Sequence, residues 1–209
     1  MTILLVGFGP FGNIRHNPSG EIAKLLNGKR IGNDIVLGRV LPVSYIKVKV
    51  TLERLIADAN PSLFLGIGLA PNSTCIRVEA IALNIAYSEK PDVDGTIIKE
   101  ITPIYDDGEL AYMANIPLKR IVGELRRHGI PSVLSFSAGT YLCNYAYYIA
   151  SYLLSKRNNA MFGFIHIPQA SEYVVSKANV PSLPFTVLVK AIEITIHVSL
   201  GLPYGKSVN

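Results

Sequence analysis

The sequence predicts a single-domain α/β fold with a mostly parallel sheet. Three observations lead there. Short apolar runs of strand character alternate with amphipathic stretches of helical period, the pattern of βαβ units. No repeat, low-complexity tract or Ser/Gly linker divides the 209 residues, a length one domain accommodates. Hydrophobic residues make up 49% and charged residues 17%, which excludes disorder. A chain this long buries roughly 70% of its unfolded surface and needs no disulfide or metal staple.

The elements follow in order. Ile3–Val6 reads as the first strand, and 7–16 as a loop rich in Gly and Phe. A helix follows, with Asn17 as N-cap, Pro18 at its first position, Ile22, Leu25 and Leu26 as its apolar stripe and Gly28 just past its end. Ile35–Leu41 is the next strand. Ser44 caps a helix carrying Val48, Leu52, Leu55, Ile56 and Ala59 on one side. Leu63–Ile67 is a short buried strand. Ile76–Ile85 reads as one long strand, and 91–107 as a polar excursion or hairpin. Pro117 opens a helix that Gly129 ends. Ser132–Phe136 is a strand, Tyr141–Ser155 a helix, and Phe162–Ile167 a strand stopped by Pro168. Phe185–Leu200 is the last helix, with Leu188, Val189, Ile192 and Ile196 inward.

Composition narrows the function. The net charge is +5, from 20 basic and 15 acidic residues. The densest basic groups are Lys119-Arg120 and Arg126-Arg127. They form no stripe with interleaved aromatics, so no nucleic-acid partner is expected. No run of about 18 apolar residues exists, so no membrane partner is expected either. The opening MTILLVGFGPFG lacks a basic n-region and a small-residue cleavage site, which points to the cytoplasm. Cys75 and Cys143 are the two cysteines and could form one disulfide; a reducing compartment argues for free thiols. Without CxxC, HExxH or paired-His spacing, no metal site is expected.

Three constellations carry possible chemistry. Gly7–Gly12 satisfies GxGxxG after a strand, with Asp34 downstream. A dinucleotide fingerprint, however, runs straight into a helix. Here the helix waits until Asn17, Pro10 removes a backbone N–H, and Asp34 precedes its strand. Phe8 and Phe11 suggest instead the apolar walls of a small pocket, or plain packing beneath the loop.

The second constellation is Cys143, in SAGTYLCN. A strand, a turn of small residues and a helix put this thiol in a first helical turn. The dipole and unpaired N–H groups there favour a thiolate and can hold an oxyanion. The alternative is a small buried hydrophobe. Cys75 lies in a loop with no helix N-terminus behind it.

The third is His166 with Glu79. His166 alone among the four histidines ends an apolar strand, where α/β sheets gather ligands and catalytic groups. Glu79 lies in a strand that is apolar on both faces, so its carboxylate needs a partner. An imidazole N–H would serve, and so would Arg77; spacing does not choose between them. Thiol, imidazole and carboxylate would supply the nucleophile, base and orienter of acyl transfer.

At these residues the chain resembles the pyroglutamyl peptidase I family, and its archaeal members most. The matching segments are Gly7–Gly12 with Asn17-Pro18-Ser19, Gly38–Val43, Gly68–Pro71, Val78-Glu79, Ala82 and Asn84, Ser137–Asn144 and Phe164–Pro168. The resemblance implies an open α/β/α sandwich, a homotetramer and no cofactor. It implies removal of N-terminal pyroglutamate from peptides by Cys143 as nucleophile, His166 as base and Glu79 as orienter. It places the ring-binding phenylalanines at Phe8 and Phe11, and Asn17 joins them as a substrate-binding candidate. The sequence departs from the family pattern at Gly9, Asn72-Ser73 and Ala80, and has Glu89 where the family carries Arg. Those departures leave a weakened or non-catalytic ligand-binding relative as the alternative, with a dinucleotide-binding module behind it.

Overall fold

In the computed structural model, which describes residues 1–205, a seven-stranded sheet forms the centre of the chain. Strand β1 (Thr2–Phe8) leads through a loop to helix α1 (Pro18–Leu26), followed by β2 (Arg30–Ile31), β3 (Asp34–Leu41), helix α2 (Tyr45–Ala59) and β4 (Leu63–Leu69). Next come β5 (Ile76–Glu79), β6 (Ile81–Leu83), β7 (Ala86–Ser88), β8 (Ile98–Thr102) and β9 (Ala111–Met113). Helix α3 (Leu118–Arg127), β10 (Ser132–Ser135), helix α4 (Leu142–Ser155) and β11 (Met161–Ile167) follow. Short β12 (Gln169–Ala170) and β13 (Ser182–Leu183) precede helix α5 (Phe185–Ser199).

The order across the main sheet is β10-β5-β11-β4-β1-β3-β2. Four of its pairings are parallel; β5 with β11 and β2 with β3 are antiparallel. The reversal at β5 has a simple cause. Residues 70–75 are too few for a crossover, which takes a dozen residues or more. Helices α1, α3 and α5 cover one face, and α2 and α4 the other. The expected α/β/α sandwich is the observed architecture.

Local signals set the helix starts. The Asn17 side chain accepts from the Ser19 N–H ahead of Pro18, and Ser44 accepts from the Lys47 N–H. The glycines of the opening loop serve packing. A Cβ on Gly7 would stand 2.1 Å from the Ser19 carbonyl oxygen, and one on Gly20 would stand 2.4 Å from that of Phe8. Bare backbone therefore lets β1 lie directly on α1. Asp34 begins β3 and lies 3.4 Å from the N-terminal amine and 3.4 Å from the Ser62 hydroxyl.

The expected long strand 76–85 is two strands. At Ala80 the backbone changes partner: its N–H donates to Ser135 at 2.7 Å and its carbonyl accepts from Ala114 at 2.8 Å. Beyond that point β6 pairs with β9, outside the main sheet. The expected excursion after Pro91 contains β8, which folds back antiparallel on β7.

Candidate active site

The chemistry-bearing residues come from three neighbouring parts of the sandwich. His166 is the penultimate residue of β11, with Gly68 of β4 as its register partner on one side and Arg77 of β5 on the other. Cys143 is the second residue of α4. Glu79 ends β5.

The structure brings all three together. His166 Nδ1 lies 2.9 Å from Glu79 Oε1. On the other side of the ring, the Cys143 sulfur and His166 Nε2 converge on Gly68. A Cβ built there would stand 2.8 Å from Sγ and 2.9 Å from Nε2. Glycine in this apolar strand keeps the space between thiol and imidazole open. Cys143 is half-buried and free, as is Cys75. Among the described residues no side chain caps α4, whose first turn carries Cys143.

Glu79 is fully buried. Its Oε1 accepts from both candidate partners: His166, and Arg77 through Nε at 3.2 Å. Oε2 is buried without a donor among the described residues. Burial pulls the His166 pKa down, but the charge and hydrogen bonding of Cys143 and Glu79 outweigh it and raise the pKa from 6.5 to about 9.

Two spaces that share Phe11, Leu69, Tyr141 and Cys143 as walls lie beside the sulfur. A cleft of about 690 Å³ is lined by Cys143, His166, Phe11, Leu69, Tyr141, Ser88 at the end of β7 and residues 90–93 of the loop after it. A recess of about 30 Å³ is walled by Phe8, Phe11, Val43, Leu69, Tyr141 and Cys143, with Asn17 at its side. Phe8 is 3% exposed and also belongs to the core, so the pocket-wall and packing readings are both satisfied there. Phe11 is half-buried and borders both spaces. Asn17 uses its side chain within the fold: Oδ1 accepts from Ser19, and Nδ2 donates to the Gly9 carbonyl at 2.9 Å, tying the loop that bears Phe11 to α1.

The other histidines lie elsewhere. His128 and His197 bond to carbonyls within their own helical segments, and His16 stacks on Tyr173. Sequence reasoning passed over three contributors. Gly68 stood just past the predicted strand and in a segment of the family resemblance, with no local signal of its place beside the thiol. Tyr141 lines both spaces. Asn144, beside the nucleophile candidate, is fully buried, and its side chain bonds Leu83 N–H, Leu83 carbonyl and Ile85 carbonyl, each at 2.9 Å. It thereby pins the chain just after Glu79. Among the described residues, no group of three or more His, Cys, Asp or Glu is arranged to hold a metal ion, and no helix is long and apolar enough to cross a membrane.

An α/β/α sandwich with thiol, imidazole and carboxylate grouped at the mouth of a cleft has the form of an α/β cysteine peptidase. The pyroglutamyl peptidase family pattern matches residues 1–201. The pyrrolidone-carboxylate peptidase of Thermococcus litoralis is 42% identical over 205 residues, covering 95% of this chain and 92% of the relative. That of Pyrococcus furiosus is 38% identical over 205 residues, covering 96% and 98%. The solved structure of a mutant pyrrolidone carboxyl peptidase from Pyrococcus furiosus superposes with a TM-score of 0.92 at 37% identity, covering 96% of this chain and 99% of that one. The Thermococcus litoralis structure gives 0.91 at 40% identity, covering 96% and 93%. The chain belongs to the pyroglutamyl peptidase family.

Proposed function

We propose that this protein is a cysteine exopeptidase that removes an N-terminal pyroglutamyl residue from peptides through a thioester acyl-enzyme. The observation that carries the proposal is the His166 imidazole, bonded to Glu79 on one side and facing Cys143 on the other, with Cys143 lining an apolar recess.

His166 takes the Cys143 proton, and the sulfur attacks the pyroglutamyl carbonyl. The oxyanion is held by N–H groups at the start of α4. His166 then gives its proton to the leaving amine as the C–N bond breaks, leaving a thioester. Water, deprotonated by His166, hydrolyses the thioester and restores the thiol. Glu79 keeps Nδ1 protonated and steadies the imidazolium. The neutral, flat lactam ring suits the recess between Phe8 and Phe11. A free α-ammonium group would enter it without a counter-charge, so ordinary N-termini are disfavoured.

The remaining parts of the proposal are a cytoplasmic location and a homotetramer. Two free thiols support the first. Ile46 and Val50, 70% and 63% exposed one turn apart on α2, support an assembly interface. Light scattering reads the assembly directly.

The test of function is hydrolysis of a chromogenic pyroglutamyl amide between roughly pH 6 and 9. Wild-type protein should turn over, and iodoacetamide should label Cys143 and end turnover. Cys143→Ser should be folded and inactive, while Cys75→Ser stays active. A folded wild type with no hydrolysis anywhere in that range would instead make the chain a ligand-binding relative.

A further inference from the structure

Arg77 lies behind the thiol and imidazole and joins several parts of their support. Its Nε donates to Glu79 Oε1 at 3.2 Å, the same oxygen that His166 Nδ1 meets at 2.9 Å. Its Nη2 donates to the Ser135 hydroxyl at 2.7 Å and to the Ser137 carbonyl at 3.1 Å. Ser135 closes β10, and Ser137 begins the turn that leads into α4 and Cys143. One guanidinium thus links the carboxylate behind the imidazole to the turn ahead of the sulfur. Its permanent charge and fan of donors suit such a junction, which a single ammonium would fill less well.

We infer that Arg77 is a positioning residue for the reaction proposed above. It holds the Glu79 carboxylate in one orientation, and it fixes the turn at 135–141 so that Cys143 keeps its place against His166. The inference rests on the peptidase reading.

The physical need is clear from Glu79. The carboxylate is fully buried, and its Oε2 has no donor among the described residues. Without Arg77, the imidazole would be its one remaining side-chain partner among the described residues, and a buried carboxylate that loses a partner is less firmly oriented. Turned away from Nδ1, it would steady the imidazolium less well. Exposed ion pairs generally contribute little. This one differs: the Arg77 side chain is 38% exposed, but its partner is 0% exposed. The charged and titratable groups around the imidazole are Cys143 and Tyr147 from α4, Glu79 and Arg77 from β5, and Lys90 and Asp92 from the cleft loop. Arg77 is the cation of this set that is bonded to Glu79.

The experiment compares wild type, Arg77→Met and Arg77→Lys in a Cys75→Ser background. Two readouts are taken across pH: kinetics on a pyroglutamyl p-nitroanilide, and the rate of Cys143 alkylation by iodoacetamide, which needs no turnover. In Arg77→Met, kcat should fall roughly ten- to a hundredfold, the scale of one lost charge-assisted hydrogen bond. KM should stay within about twofold, since the recess is untouched. The alkylation midpoint should move to higher pH, and Arg77→Lys should recover part of both changes. Wild-type kcat with a wild-type alkylation profile overturns the inference. So does a fall in kcat with an unmoved alkylation profile, which would mean general loosening. If Arg77→Met does not fold, Arg77→Lys decides by the same two readouts. If the wild type itself fails to hydrolyse the amide, the peptidase reading falls, and the alkylation comparison still decides the role of Arg77.

Discussion

His166 Nδ1 lies 2.9 Å from Glu79 Oε1 although 87 residues separate them in the chain. They meet because β5 runs antiparallel beside β11, with Arg77 opposite His166 and Glu79 opposite Phe164. The carboxylate therefore reaches diagonally across the strand pair, a distance that long side chains span. Nδ1 donates to that carboxylate, which leaves Nε2 on the sulfur side of the ring. The pair thus sets the tautomer that can accept a proton from Cys143.

Gly68 is expected to be essential to activity and much less important to folding. In Gly68→Ala, the new methyl would stand 2.8 Å from the Cys143 sulfur and 2.9 Å from His166 Nε2. Displacing either group should lower kcat by roughly a hundredfold, as small misplacements of reacting groups do. The stability cost should be about 1–3 kcal/mol, the range for an overpacked site. Kinetics paired with urea unfolding would check this, and a fully active Gly68→Ala would contradict it.

The two phenylalanines should separate by readout. Phe11 is half-buried and borders the recess and the cleft. Phe11→Ala should raise KM for a pyroglutamyl amide with little loss of stability. Phe8 is 3% exposed and belongs to the core. Phe8→Ala should cost about 3–5 kcal/mol of stability as well as substrate affinity. Equal unfolding midpoints for the two variants would sink this distinction.

Asn17 should act on substrate through the loop it holds. Its side chain caps α1 and anchors the Gly9 carbonyl. Asn17→Ala should therefore lose about 1–2 kcal/mol from the missing cap. Asn17→Ser keeps a capping oxygen but not the reach to Gly9. It should recover stability while leaving KM raised, and recovery of both would confine Asn17 to helix capping.

Stability should decline on the alkaline side. Burial lowers the His166 pKa, but Cys143 and Glu79 raise it further, to about 9 from 6.5. The native state therefore holds this proton more tightly than the unfolded chain does. Its contribution is complete below about pH 6.5, where both states are protonated, and is withdrawn as pH rises through about 9. Melting temperature should fall across that window. His166→Gln should flatten the fall, and Cys143→Ala, lacking the partner that raises the pKa most, should start it at lower pH. A wild-type melting temperature constant from pH 6.5 to 9 would contradict the assignment.

The sequence by itself determined the five helices, the principal strands and the place of the thiol. Those signals are local. Asn17 before Pro18, Ser44 before an amphipathic run, and small residues between Phe136 and Tyr141 each act within a few positions, and the structure has these boundaries to within a residue or two. Other features were decided only by the tertiary structure. Alternation along 76–85 could not reveal that the chain leaves one sheet at Ala80 for another, because a strand's period is the same whichever partner it has. Spacing could not choose between His166 and Arg77 for Glu79, and the folded chain gives both the same oxygen. Strand order and register come from long-range pairing, constrained by loop length and by which faces must be buried. They are what bring residues 68, 77, 79, 143 and 166 together.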